Sequence, residues 1–293
     1  MANNPEHYYV PEKSRMPVLM ALAMATTGAG AALYLNTLGS EDPSAWLLIL
    51  GVLGIIFVMV SWFNVVIQEN HAELANAQVK QSFVMGMAWF IFSEVMFFFA
   101  FFFALFYIRL FSVDWLGNEG SKPGHDLLWP GFVSEWPLMQ NPDPEAFPGP
   151  AETIPWYGIP TVNTLLLLSS SWTIHVAHQK LMEDKRKDFQ NWMALTLGLG
   201  VIFLILQGYE YVHAYTDLGL TLKSGIYGTT FFLLTGFHGL HVTIGAIMLT
   251  IVLLRGYAGH FTPTDHFGLQ AASWYWHFVD VVWLFLYLVV YIL

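Results

Sequence analysis

Cysteine is absent from all 293 residues, which excludes disulfides, thiolate zinc sites and iron–sulfur clusters within this chain. Charge is nearly as scarce. Only 11% of residues are charged while 56% are apolar, too little polar surface to cover a water-soluble globule, so the composition is that of an integral membrane protein. No glycine-rich phosphate loop follows a strand pattern and no nucleic-acid motif occurs. Residues 1–15 are polar and carry Glu6, Lys13 and Arg15, so the first apolar run lacks the usual form of a secretory signal and is expected to act as an uncleaved anchor. Internal repeats, low-complexity tracts and inverted hydropathy symmetry are also missing, which favours one helical domain over residues 1–293.

What the chain has is long apolar runs. Seven reach spanning length, at about 16–36, 44–67, 82–111, 157–179, 192–214, 225–255 and 270–293. Backbone groups in lipid must be paired inside the segment or in a closed barrel. Runs this long lack a barrel's alternation, so an all-α fold of seven transmembrane helices is predicted. Pro160 suits a first helical turn. With the N-terminus cytoplasmic, Lys13, Arg15, Lys80, Lys180, Lys185, Arg186, Lys187 and Arg255 lie inside and only Arg109, Lys122 and Lys223 outside, so the positive-inside rule predicts N-terminus in and C-terminus out.

The third connection, about 112–156, then faces outward with Asp114, Glu119, Asp126, Glu135, Asp143, Glu145 and Glu152 against Lys122 alone. It is rich in Pro, Gly and Trp, which predicts an ordered cap. Its acidity is either a solvated surface or an attraction for a cationic protein such as a small electron carrier. The connection 180–187 reads as a charged topology anchor. The second connection, about 68–81, is long and polar, so the first two segments form a pair distinct from the other five.

Within the third segment stands Glu94, in Trp89-Phe90-Ile91-Phe92-Ser93-Glu94-Val95-Met96-Phe97-Phe98-Phe99. At about 1.5 Å per residue it lies roughly 18 Å from the segment's start, near the bilayer midplane. An ionised carboxylate there costs at least about 2.5 kcal/mol, so Glu94 is expected to be protonated, paired or turned to the protein interior. Three roles stay open: a protonation site in a transport path, a neutral acid bonded to a neighbouring helix, or part of the lining of a lipid-filled cleft. Asp280 is a second deep carboxylate, one turn from Trp276, His277 and Trp283, and His277 is within reach as a partner for its charge or proton, in a fixed polar contact, which is favoured, or in a proton relay. Glu210, with Tyr209, Tyr211 and His213, is expected near the outer interface, within reach of water.

Eleven histidines invite a haem or copper reading. His175 with His178, and His238 with His241, share helix faces at i, i+3. Gly236, Gly239 and Gly245 around the second pair point instead to close helix packing with interhelical hydrogen bonds. A structural polar core of His238, His241, His277 and Glu210 is therefore favoured over a metal site, which the spacing leaves open. Arg255 and His260, at the end of the sixth segment, either bind a lipid phosphate or belong to a snorkelling Arg at the interface.

Four runs carry a family resemblance: Phe92-Ser93-Glu94-Val95-Met96-Phe97-Phe98, Gly225-Ile226-Tyr227-Gly228-Thr229-Thr230-Phe231-Phe232, Gly236-Phe237-His238-Gly239-Leu240-His241-Val242 and the stretch from Trp274 to Tyr287. Together they resemble subunit III of the haem-copper respiratory oxidases, specifically of cytochrome c oxidase. Trp62-Phe63-Asn64 stands where that family commonly has a double Trp followed by Arg. The resemblance implies seven helices with 1–2 parted from 3–7 by a V-shaped cleft holding phospholipids. It also implies that haem and copper reside in subunits I and II, and that this subunit packs on subunit I, stabilises it and supports its proton uptake, with cytochrome c reached only through the complex. Glu94 and Asp280 become proton-linked carboxylates, and Arg255, His260 and Trp62 lipid contacts. A bacterial plasma membrane is the expected location. The equivalent subunit of a quinol oxidase and a stand-alone proton transporter using Glu94 and Asp280 remain alternatives.

Overall fold

The computed structural model describes residues 9–10, 13–40, 42–117, 119 and 128–293; Glu6, Lys122 and Asp126 lie outside the described residues. Seven long helices and one single-turn helix account for the regular structure among them: α1 (Met16–Thr37), α2 (Trp46–His71), α3 (Ala77–Tyr107), the short α4 (Val113–Leu116), α5 (Ile159–Met182), α6 (Arg186–Thr216), α7 (Gly225–Tyr257) and α8 (Phe267–Leu286). π-helical turns follow α3 at Ile108–Ser112 and α8 at Tyr287–Ile292. The all-α expectation therefore holds.

Six of these helices are long and apolar enough to cross a membrane. The exception, α5, owes its lower hydropathy to a buried polar row, Asn163, Thr164, Ser170 and Thr173, which it turns toward its neighbours. Most helices outrun the predicted boundaries. Asn76 caps α3 by accepting the N–H of Val79 at 2.9 Å, so α3 starts five residues earlier than hydropathy placed it. Between α2 and α3 only residues 72–76 remain, where a longer polar connection was expected. Likewise the turn after α5 shrinks to 183–185, with Asp184 in the left-handed region at φ 54°. Polar residues continue a helix as readily as apolar ones once the chain leaves the hydrocarbon, and hydropathy does not register that extension.

Two compact units emerge, Met1–Met85 and Gly86–Leu293. In the first, α1 and α2 approach backbone to backbone. Gly30 meets Leu47 and Leu48, and a Cβ on Gly51 would stand 2.5 Å from the Thr27 backbone nitrogen. Small residues at such crossings replace the hydrophobic driving force that lipid cannot supply. Tyr9 donates to Glu69 at 3.1 Å within the same unit.

In the second unit the interior is built around Trp276 and Trp283, both fully buried. Trp276 fits because Gly200 and Gly245 lack side chains: their Cβ atoms would lie 2.6 and 2.9 Å from its ring. Its indole N–H donates to Ser170 Oγ and that of Trp283 to Thr164 Oγ1, each at 2.9 Å, so both rings bury their area with the polar handle satisfied. Beyond α4 the connection is ordered where it is described. Trp136 packs edge-on against Tyr227, and Asn141 donates to the carbonyls of Phe147 and Ser224 at 2.7 and 3.2 Å.

Candidate functional site

Three polar clusters interrupt the apolar interior of the second unit. The first joins α3 to α7. Glu94 Oε2 lies 2.9 Å from His241 Nε2, with side-chain exposures of 23% and 9%. A hydrogen bond of 2.6 Å links His241 Nδ1 to the carbonyl of Phe237, which can only accept, so Nδ1 carries a proton. One proton is then left for the contact between Nε2 and the carboxyl. Either Glu94 holds it and donates to a neutral imidazole, or the imidazolium holds it and donates to a carboxylate. Both forms are electrically neutral as a pair, which removes most of the cost of an isolated charge at this depth. Phe97 lies tilted and Phe98 edge-on against the imidazole, with ring centroids 5.7 and 4.9 Å away, and shield it.

The second cluster joins α5 to α8. Asp280, 6% exposed, accepts a 2.7 Å hydrogen bond from Ser171 Oγ, and His277 Nδ1 approaches the same hydroxyl at 3.1 Å. His277 was expected to bond Asp280 directly. One turn of helix along α8 separates them, and Ser171 from α5 fills the gap between their polar atoms. Asp280 Oδ1 is buried with no hydrogen-bond partner among the described residues.

The third lies at the opposite end of α5. Tyr291 donates to Glu210 Oε1 at 2.7 Å, Gln207 donates to the same oxygen at 3.2 Å, and Asn163 donates to Gln207 at 3.4 Å. Glu210 is only 1% exposed, whereas water access was expected. The physical reason is the π-helical end of the chain: Tyr287–Ile292 widens the last turns and lays Tyr291 over the carboxyl.

The remaining residues are placed individually. His238 is fully buried and donates Nε2–H to the carbonyl of Val279 at 3.0 Å, so the pair His238 and His241 serves two different neighbours rather than one ligand. The rings of His178 and His266 lie 5.0 Å apart and His175 Nε2 accepts from Gln179 at 3.0 Å. Arg255 is half-buried at the end of α7, its guanidinium 4.7 Å above the ring of Phe261. His260 follows three residues beyond the end of α7, and Trp62 is half-buried on α2. Among the described residues no group of three or more His, Cys, Asp or Glu side chains could hold a metal ion. At the turn 183–185, Glu183 pairs with Lys185 at 2.7 Å and Lys180 at 2.9 Å, and these hydrogen bonds, Lys185 first, hold its carboxyl down at about 2.

Sequence reasoning missed Ser171, Asn163, Gln207 and Tyr291. A signal existed for two of them: Asn163 belongs to the polar row of the fourth segment, and Ser171 closes the run Ser169-Ser170-Ser171 beside it.

The family model described as cytochrome c oxidase subunit III matches residues 6–140 and 146–293. The protein named cytochrome c oxidase subunit 3 of Danio rerio is 37% identical over 292 residues, covering 99% of this chain and 98% of its own. That of Oryctolagus cuniculus is 37% identical with the same coverage, and that of Scyliorhinus canicula 38% identical over 293 residues.

Proposed function

The chain belongs to the cytochrome c oxidase subunit III family, and on that premise we propose that it is the accessory, non-redox subunit III of a proton-pumping oxidase. It is a multi-pass membrane protein and a member of the oxidase complex. In the proposal it packs on subunit I beside subunit II, binds phospholipid, stabilises subunit I and supports that subunit's proton uptake. Haem and copper stay in the partners, and cytochrome c acts on the complex rather than on this chain. Arg255 and His260 are proposed to meet a lipid head group at one end of α7, and Trp62 an acyl or head-group region on α2. The distribution of Lys and Arg supports an N-terminus on the cytoplasmic side. The long third connection supports a bacterial plasma membrane; the relatives above are from vertebrates.

The observation that carries the proposal is the 2.9 Å hydrogen bond between Glu94 and His241, which holds one shared proton between α3 and α7. In the assembled oxidase, Glu94→Gln is expected to slow proton uptake by subunit I while leaving assembly intact. Unchanged uptake with unchanged assembly overturns the supporting role.

A further inference from the structure

We propose that Asp280, Ser171 and His277 form a proton-exchange site that loads from the membrane side bearing the turn between α5 and α6. The proposal rests on the supporting role in proton uptake proposed above and extends it to Asp280, for which it supplies a route of exchange.

The geometry carries it in three steps. First, Ser171 Oγ contacts both Asp280 Oδ2, at 2.7 Å, and His277 Nδ1, at 3.1 Å. A hydroxyl is the one side-chain group that donates and accepts through a single atom, so it can pass a proton between them by turning its own O–H. Second, the carboxyl is 94% buried and its Oδ1 has no partner among the described residues, a poor setting for a permanent charge and a good one for a carboxyl that holds a proton and exchanges it. Third, an open hollow lies toward one end of the helix that carries the hydroxyl. Ser171 lies eleven residues before the end of α5, roughly 17 Å, and His175 and His178 follow it four and seven residues along the same helix. His175 and His178 line the hollow, of about 520 Å³, with Gln179, Met182 and Glu183.

The exchange balances. In the loaded state Asp280 Oδ2 carries the proton and the Ser171 O–H is turned to a neutral His277 protonated at Nε2. The carboxyl gives its proton to Ser171 Oγ while Ser171 gives its own to His277 Nδ1, so one O–H bond breaks at Asp280, one N–H bond forms at His277, and the regenerated hydroxyl donates to Oδ2 as it does in the structure. The imidazolium then releases its Nε2 proton to water on the side of the hollow, leaving a neutral imidazole and the carboxylate; loading runs in reverse. Other ionisable groups face α8 from its neighbours: His175 from α5, His238 from α7, bonded to the carbonyl one residue before Asp280, and the Glu94–His241 pair from α3 and α7. None of them shares a hydrogen bond with the Ser171 hydroxyl.

The test is infrared spectroscopy of the assembled, lipid-embedded oxidase on transfer from H₂O to D₂O. The carbonyl band lost in Asp280→Asn identifies the carboxyl, with isotope-labelled aspartate as the second route if that variant fails to assemble. In the unaltered chain the band should shift promptly. Ser171→Ala should slow the shift by on the order of a hundredfold and Ser171→Thr, which restores the hydroxyl, should recover it. A wall made only for packing would not respond to the return of one oxygen atom. Exchange in Ser171→Ala within about twofold of the unaltered chain overturns the relay, as does failure of Ser171→Thr to recover it. Failure of the wider supporting role would show differently, as normal proton uptake by the oxidase in variants whose Asp280 exchange is slowed.

Discussion

Replacing Glu94 and His241 in turn separates the two forms of the one-proton pair, neutral acid with imidazole or carboxylate with imidazolium. In Glu94→Gln the amide N–H can donate to His241 Nε2 just as a protonated carboxyl would, since Nδ1 is already committed to the Phe237 carbonyl. The exchange of one neutral hydrogen bond for another is worth less than about 1 kcal/mol. Glu94→Leu leaves Nε2 of a nearly buried imidazole unmet, for about 1–3 kcal/mol. His241→Leu is harsher, because Glu94 then faces the membrane interior alone, at about 2.5 kcal/mol or more. The double change to Leu removes both polar groups and should harm less than the sum of the single changes. Retention of the chain in the purified oxidase during heating reads this order directly. Glu94→Gln dissociating as readily as His241→Leu would refute the neutral form and show that the pair needs its charges.

Gly200→Ala puts a methyl 2.6 Å from the Trp276 ring, which Ser170 and Gly245 hold on its other sides, so overpacking of about 1–3 kcal/mol should lower the temperature at which the chain leaves the complex. Tyr291→Phe removes the shortest hydrogen bond to Glu210 and should destabilise by about 0.5–1.5 kcal/mol, read in the same heating assay. Arg255→Ala should lower the anionic phospholipid retained by the purified complex, by mass of extracted lipid; unchanged lipid would mean the guanidinium only rests on Phe261. The depressed carboxyl of Glu183 supports the fold above its usual value of 4.5 and loses that support as pH falls toward about 2. The difference between Glu183→Gln and the unaltered chain should therefore close over that window in the heating assay, and shrink in high salt because the pair is exposed.

How far the sequence spoke depends on which physical signal each feature leaves. Helices announce themselves through apolar length, and a deep acid such as Glu94 stands out against Phe97, Phe98 and Phe99. Helix faces do not. The exterior of a membrane chain is as apolar as its interior: Phe57 and Trp89 are 69% and 68% exposed while Phe98 and Phe231 are each 2% exposed. Rotation about each helix axis is therefore hidden, and with it the meeting of Glu94 with His241, which lie 147 residues apart. His277 and Asp280, three residues apart on one helix, invited a direct contact, yet the hydroxyl that joins them comes from another helix. Burial of Glu210 depended on a change in helical pitch at Tyr287–Ile292, and nothing in the local composition marks such a change.

The backbone crossing of α1 on α2, made by Gly30, Gly51 and Thr27, is complete within the first 71 residues. A ribosome that has yet to begin α5 has already released everything this hairpin needs to close. Its two helices can thus leave the insertion machinery as a finished pair, before α5 to α8 exist to receive them. A bulky residue at Gly30 would be felt at that stage of synthesis, as delayed insertion and early degradation, ahead of any effect on respiration.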